Sequence, residues 1–231
     1  MKLLAFETST EACSVAVWVD GEVIERFDLA PRRHAELALP WAEDVLREAG
    51  VRRNELDAIA VGRGPGAFTG VRLAIAIAQG IALALDRPVV PVSTLAALAL
   101  QARAPRVLAA IDARMNEVYA AAFRCDGDNA IALDNERVVA PNAVVLPDGT
   151  NDWIGVGTGF DAVDGTLRNT LGERFARIDA TALPRAADVA RLGAQAFKRG
   201  EGVAAERIEP AYLRDNVALT LAEQVAARAK K

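Results

Sequence analysis

The chain has 231 residues, of which 52% are hydrophobic and 25% charged, so it can bury a sizeable core and is not a disordered chain. Its formal charge of −4 argues against a protein that holds nucleic acid unaided through clustered Lys and Arg. Two cysteines without a CxxC pair exclude a disulfide scaffold or zinc ribbon, and Glu7 interrupts the first apolar run, unlike a signal peptide, so we expect a cytoplasmic protein.

Strands and helices alternate through the first half of the chain. Asp20-Gly21 is the dipeptide preferred in tight hairpins, and it joins two apolar runs of strand length. Gly50 suits a helix end, and Ser93 or Thr94 suits a helix cap. The predicted strands are 2–8, 13–29 (as a hairpin), 56–63 and 87–92, and the predicted helices are 31–50, 69–85 and 93–103.

The second half begins as a repeat of the first. "VLAAIDARMNEVYAAAFRCDG" aligns with "LLAFETSTEACSVAVWVDG", because each has an apolar strand that ends in an acid, Asp112 or Glu7, and a second strand that reaches Asp-Gly. This repeat predicts two lobes built on one plan, 1–105 and 106–231, with chance similarity between two hairpins as the alternative. Further strands are predicted at 130–140 and 153–160, helices at 162–171 and 185–199, an extended tail at 209–216, and a terminal helix or frayed end at 217–231.

The glycine-rich stretch "VGRGPGAFTGVR" does not fit the common phosphate motifs well. A P-loop needs a lysine that this stretch lacks. A dinucleotide-binding turn is harder to exclude, since Gly62-x-Gly64-x-x-Ala67 matches its fingerprint. Two features argue against it: Asp86 precedes the next strand, whereas the motif's acid ends that strand, and Pro65 removes a backbone donor that a pyrophosphate would need. The structural interpretation is a sharp strand-to-helix corner in which Thr69 caps the helix.

The helix after this corner is apolar nearly all round, with Arg72 and Gln79 as its strongly polar side chains. A surface helix has one apolar stripe, so this helix must be covered on more than one side. It is short for a bilayer and a strand follows at once, which argues against a membrane span. The preceding helix is also over-apolar. The pattern favours a protein–protein surface, with burial by the chain's second lobe as the alternative.

No convincing catalytic set emerges from the residues. His34 is the sole histidine and Ala38 follows at i+4, so a triad on another histidine and a two-histidine metal site are excluded. His34 is best explained as a cap or surface residue. Strand-end acids Glu7, Asp112 and Glu117 are most simply turn residues, and the alternative is an ATP-dependent enzyme that uses Glu7 and Asp112 across a cleft.

Several motifs together resemble the TsaB (YeaZ) family. They are "LLAFETST", "CSVAV", His34, "GRGPGAFTGVRLAIAIAQGIAL", "VSTLAALA", "IDARMNEVYAAAF" and "EPAYLRD", with Ala67 where the family usually has Ser. The resemblance implies a two-lobed α/β fold of the actin-like or Hsp70-like (ASKHA) type with duplicated ribonuclease H-like lobes. It also implies an inactive paralogue of TsaD, since TsaD carries a metal-binding HxxxH and this chain has His34 with Ala38.

The implied function is a non-catalytic subunit that pairs with and activates TsaD, together with the ATPase TsaE, in forming N6-threonylcarbamoyladenosine in tRNA. The resemblance further implies a homodimer when the chain is alone, tRNA contact only indirectly, no membrane and no metal or required cofactor. Weak ATP or ADP binding in a relic cleft stays open, with Glu7, Thr8, Ser9 and Asp112 as candidates. The expected partner interface lies on the first two helices and comprises Leu37, Trp41, Val45, Arg72, Ile75, Gln79 and Leu83.

Overall fold

The computed structural model describes residues 1–214, which form a mixed α/β fold built on two sheets. The strands are β1 (Lys2–Glu7), β2 (Ala12–Val19), β3 (Glu22–Leu29), β4 (Ala58–Gly62), β5 (Val89–Val92), β6 (Val107–Arg114), β7 (Glu117–Asp126), β8 (Asn129–Ala132), β9 (Arg137–Val139), β10 (Trp153–Val156) and β11 (Phe175–Asp179). The helices are α1 (His34–Glu48), α2 (Phe68–Leu85), α3 (Thr94–Leu100), α4 (Ala162–Leu171) and α5 (Ala186–Lys198).

The two sheets share one strand order. Sheet 1 runs β3-β2-β1-β4-β5, and sheet 2, read in the same direction, runs β8-β7-β6-β10-β11, with β9 added beside β7. In each sheet a three-strand antiparallel meander is extended by two strands that pair in parallel. The predicted repeat is therefore confirmed, because the Asp20-Gly21 and Asp126-Gly127 hairpins occupy equivalent places in the two sheets.

Sheet 1 is covered by helices on both faces. Successive side chains of a strand point to opposite faces, so the apolar run of β1 serves two cores. Leu4 and Phe6 pack with α1 and α2. Leu3 and Ala5 pack on the opposite face with α5. All four side chains are buried, which makes β1 a central strand.

Sheet 2 is covered in the same manner. Val107 and Phe123 on one face pack with Leu95 of α3. Leu108 on the other face packs with Leu167 of α4. Since α3 also contacts α5, these two helices form a layer between the sheets, and the cleft between the lobes lies beside this layer.

Helix α5 belongs to sheet 1, although it follows the strands of sheet 2 in the chain. Its first turn is anchored on β2 and β3, because Ala186 N donates to Ser14 Oγ at 2.8 Å and Ala187 N donates to Glu25 Oε1 at 3.0 Å. A Cβ on Gly193 would lie 2.7 Å from the Cβ of Ala60, so helix and sheet are in close contact. The predicted boundary at 105/106 separates the strands of the two sheets but assigns α5 to the wrong lobe.

Three further details differ from the sequence predictions. Thr69 does not cap α2, because the helix begins at Phe68 with Ala67 at the cap position and has no side-chain cap. The strand predicted at 130–140 is divided into β8 and β9, and between them the Asp134 carboxylate accepts a hydrogen bond from Ala122 N at 2.6 Å. The predicted terminal segment 217–231 lies outside the described residues.

Helix α2 is long and apolar enough, by length and composition, to cross a membrane, and it is the one such helix in residues 1–214. The structure instead packs one side of it on sheet 1. The side chains that face the sheet are Val71, Ala74, Ile75, Ala78 and Ala82. Its apolar character thus has an internal cause on one side, and the other side is considered below.

Replacing Asp188 by Asn is expected to stabilise the fold at neutral pH. Asp188 lies in the first turn of α5 and is 4% exposed, and burial raises the pKa of its carboxyl to about 6 although Arg191 opposes the shift. Because the folded pKa exceeds the unfolded one, stability falls as pH rises from about 4 to 6. The ionised group then destabilises by up to about 3 kcal/mol, at about 1.4 kcal/mol per pKa unit.

Urea unfolding of Asp188→Asn and wild type at several pH values measures this effect. The variant should be the more stable at pH above 6, and the difference should vanish near pH 4. A variant that is less stable at neutral pH would mean that the Arg191 contact and the helix N-terminus outweigh burial.

Candidate functional site

The turn between β1 and β2 is pressed against three glycines of the glycine-rich stretch. A Cβ on Gly62 would lie 1.9 Å from Glu7 Oε2, one on Gly70 would lie 2.0 Å from Thr8 O, and one on Gly66 would lie 2.6 Å from Ser9 Cβ. No residue larger than glycine fits these positions without a shift of the Glu7 side chain, at Gly62, or of the turn itself, at Gly66 and Gly70. The glycines are therefore required by the protein's own turn, which answers what the glycine-rich corner is for.

Glu7 is a buried structural residue rather than a cleft residue. It is 1% exposed, and its carboxylate accepts hydrogen bonds from Ser9 N at 2.7 Å and Thr94 Oγ1 at 3.0 Å. Burial raises the pKa of Glu7, against the lowering effect of these hydrogen bonds. Glu7 does not line the cleft between the lobes, so the geometry agrees with its interpretation as a turn residue and argues against the alternative in which it serves a nucleotide site.

His34 supports the same turn from outside. Its Nε2 lies 3.0 Å from Thr10 O and 3.1 Å from Ala12 O, both of which can only accept, so this nitrogen carries the proton and donates. A second hydrogen bond ties the same turn to α2, because Thr8 Oγ1 donates to Gly70 O at 2.7 Å. His34 is thus the first residue of α1 and a tie to the β1–β2 turn, a role that its sequence context did not reveal.

A cleft of 1230 Å³ lies between the two lobes. It is bordered by the β1–β2 turn, the start of α2, the turn between β6 and β7, and residues 211–214. The predicted candidates Thr8, Ser9 and Asp112 do line it. Four arginines line it as well: Arg32, Arg72, Arg114 and Arg214.

Two of the predicted strand-end acids near this cleft are engaged by arginines, while Glu11, which also lines the cleft, is exposed. The Asp112 carboxylate accepts hydrogen bonds from Arg114 N and Arg114 Nη1, each at 2.8 Å. Glu117 pairs with Arg214. With Glu7 buried, these residues do not fit a magnesium nucleotide held between Glu7 and Asp112. Within residues 1–214 there is also no cluster of three or more His, Cys, Asp or Glu that could hold a metal ion.

Apolar side chains that the core does not fully cover lie on α1 and α2, and on α1 they stand beside the exposed charged residues Glu36, Glu43 and Arg47. We call this apolar set the outer helix face and define it by Leu37, Leu39, Trp41, Ala76, Ile77, Gly80, Leu83 and Ala84. Leu39 and Leu83 are 50% and 64% exposed, which is unusual for leucine. Leu37, Trp41 and Ile77 are half-buried against the core.

The seven predicted interface residues divide into three groups. Val45 and Ile75, 0% and 6% exposed, fill the core between the helices and sheet 1, so they present no contact surface and that part of the prediction is corrected. Arg72 and Gln79 make internal hydrogen bonds, to Tyr212 Oη at 2.6 Å and Ala205 O at 2.9 Å. The structure places the remaining three, Leu37, Trp41 and Leu83, on the outer helix face.

Gly80 is a residue of this face that is not among the seven predicted interface residues. A glycine inside a helix is about 0.5–1 kcal/mol less stable than alanine. A Cβ on Gly80 would meet nothing within 4 Å, so no internal contact requires glycine there. Gly80 lies on a ridge at four-residue spacing with Phe68, Arg72, Ala76 and Ala84, all exposed. The signal in the sequence was this spacing of small residues.

Comparison with known proteins identifies the family. Residues 28–221 match the family model described as "TsaD: tRNA N6-adenosine threonylcarbamoyltransferase". The Escherichia coli "tRNA threonylcarbamoyladenosine biosynthesis protein TsaB" is 44% identical over 229 residues, which span 94% of this chain and 96% of that protein. The chain belongs to the TsaB family. The Haemophilus influenzae protein of the same name is 39% identical over 230 residues, 94% of this chain and 95% of that one.

A solved structure agrees with membership of the TsaB family. YeaZ from Pseudomonas aeruginosa is 46% identical with a TM-score of 0.83, over 92% of this chain and 99% of that chain. A shorter match joins TsaB to TsaD: the "tRNA N6-adenosine threonylcarbamoyltransferase" of Prosthecochloris aestuarii is 34% identical over 108 residues, 40% of this chain and 31% of that protein. The resemblance to the TsaB (YeaZ) family is confirmed.

Glu7→Ala is expected to destabilise this TsaB-family fold by about 3 kcal/mol, because it leaves a cavity and two buried donors without an acceptor. Glu7→Gln keeps the size and one acceptor oxygen, so it should stay within about 1 kcal/mol of wild type. Chemical denaturation of both variants measures the difference. Equal damage from the two substitutions would show that the charge of Glu7, and not its shape and acceptors, holds the turn.

Proposed function

We propose that this chain is a non-catalytic subunit that docks TsaD through its outer helix face and thereby supports formation of threonylcarbamoyladenosine in tRNA. The observation that carries the proposal is the set of exposed apolar side chains on α1 and α2, with Leu39 50% and Leu83 64% exposed to solvent. Contiguous exposed apolar surface of this kind is typical of protein–protein contact sites. The names of the relatives supply the pathway, and the match to the TsaD family model supplies a partner of similar fold.

The shape of the face favours a helix as the contacting element. Ridges at four-residue spacing pack into the grooves of a neighbouring helix, and small residues allow a close approach. Ala76, Gly80 and Ala84 form such a ridge, with Leu83 beside it. A TsaD helix, or the same helices of a second copy when the chain is alone, would bury this ridge. The same proposal includes three further expectations: TsaE joins the pair, TsaD alone contacts the tRNA, and the complex is cytoplasmic.

The carboxylates around the cleft support a non-catalytic role. Glu7 is buried, and Asp112 and Glu117 are occupied by arginines, so no pair of free carboxylates faces the cleft from these three positions. The repeated strand order of the two sheets supports an actin-like, Hsp70-like arrangement of the lobes. We infer that the lobes were kept as a scaffold for the outer helix face.

Gly80→Leu is expected to weaken binding to TsaD at least tenfold while leaving a folded chain, because leucine projects into the space that a partner helix needs. Gly80→Ala should stabilise the free chain by about 0.5–1 kcal/mol. Calorimetric titration with TsaD and thermal melts measure the two effects. Gly172→Leu, which adds the same bulk at the end of α4, where an added Cβ would meet nothing within 4 Å, is the matched control and should bind normally.

Ile75 is unsuitable for this test. Ile75 is buried, so a charged residue there should lower the free energy of unfolding by several kcal/mol and would not test a contact with a partner. Leu83→Asp, at an exposed position, is the appropriate charged variant. Normal TsaD binding by both Gly80→Leu and Leu83→Asp would refute the docking proposal.

The alternative function, an ATP-dependent enzyme, draws support from the size of the cleft and its threonine and serine hydroxyls. We expect no hydrolysis of magnesium-ATP by the isolated chain, since Glu7 is buried and Asp112 and Glu117 pair with arginines. Tight binding in a calorimetric titration, with turnover that Asp112→Asn abolishes, would favour the enzyme and contradict the scaffold.

A further inference from the structure

The chain crosses from one lobe to the other after α5. Val203 first pairs with Val89 at the edge of sheet 1. Ala211 N then donates to Arg63 O at 2.8 Å, still within the first lobe. Arg214 reaches the β6–β7 turn of the second lobe. We call residues 209–214 the strap. It borders the cleft and contacts both of its walls.

The first end of the strap rests on α2 through side chains that are half exposed. Arg72 Nε donates to Tyr212 Oη at 2.6 Å, and the Arg72 guanidinium lies 3.6 Å from the centre of the Phe68 ring. The rings of Phe68 and Tyr212 stack with centroids 6.2 Å apart, and they are 55% and 52% exposed. Phe68 and Arg72 begin the exposed ridge of α2 that contains Gly80. A partner on that ridge therefore meets Tyr212.

The second end of the strap holds an unusual turn. Arg114, Met115 and Asn116 are three successive residues with φ of 61°, 54° and 63°. Residues with side chains adopt this left-handed region rarely, and seldom in succession. Arg214 Nη2 lies 3.3 Å from Ala113 O and 3.5 Å from Arg114 O, and Arg214 also pairs with Glu117. Strained turns persist where neighbouring groups hold them, and Arg214 is such a group.

We propose that the strap couples the outer helix face to the cleft. TsaD, when it packs on Phe68 and Arg72, displaces Tyr212, and the strap then withdraws Arg214 from the β6–β7 turn. The turn relaxes and the cleft opens on its second-lobe side. This inference rests on the proposed function for its occupant. One part of the inference needs no partner: the claim that Tyr212 and Arg214 are coupled through the strap concerns the free chain only.

Amide hydrogen exchange of residues 113–118 in the free chain tests the internal part. Arg214→Gln should accelerate exchange there at least tenfold. Tyr212→Ala, although Tyr212 touches α2 instead of this turn, should also accelerate it, and Tyr212→Phe should have a smaller effect because the ring stack is kept. Arg207→Gln is the control, since Arg207 is exposed and makes no side-chain bond within residues 1–214. An effect of Arg214→Gln without any effect of Tyr212→Ala would overturn the coupling.

The same measurement with TsaD bound tests the occupant. Exchange at 113–118 should accelerate in the wild-type complex and change little in the Arg214→Gln complex, where the turn is already released. A complex that forms while this exchange stays the same or slows overturns the coupling but leaves the docking proposal intact. Failure to form a complex in size-exclusion chromatography refutes docking itself, and the coupling by TsaD with it.

Discussion

Contact between a three-residue turn and three glycines organises this molecule. Glu7, Thr8 and Ser9 each approach a different glycine of the corner before α2 to a distance that excludes a Cβ. The contact sets the position of α2 on sheet 1, and through Thr94 it also sets the start of α3 in the layer between the sheets. A corner that could bind phosphate in another protein is filled here by the chain's own β1–β2 turn, through side-chain atoms of Glu7 and Ser9 and the carbonyl of Thr8.

The two sides of α2 show why a helix can be apolar all round without crossing a membrane. The inner side meets sheet 1 with small and branched residues that are fully covered. The outer side has no cover within residues 1–214, and it is made of alanine, leucine and one glycine that no internal contact explains. Internal packing accounts for the inner side of the helix, and the proposed docking of a second protein is our explanation for the outer side.

Local patterns in the sequence were sufficient for the hairpins, the repeat and the helix positions, since Asp-Gly turns and apolar runs act over a few residues. They could not tell which side of α1 and α2 faces the sheet, so Val45 and Ile75 were assigned to the surface. The burial of Glu7 and the tie made by His34 depend on residues far away in the chain. Such long-range contacts have no periodic signal, and for that reason α5 was also placed in the wrong lobe.

The position of α5 has a consequence for how the chain acquires its structure. During synthesis the strands of sheet 1 emerge first, but the helix that covers their second face appears only after the whole of sheet 2. The apolar side chains on that face therefore stay exposed until α5 has been synthesised; they include Leu3, Ala5, Ala60 and Val90. A first lobe that ended near residue 105 would lack the helix that covers one face of sheet 1, so we expect it not to fold as an independent domain, and we expect α5 to couple the folding of the two lobes.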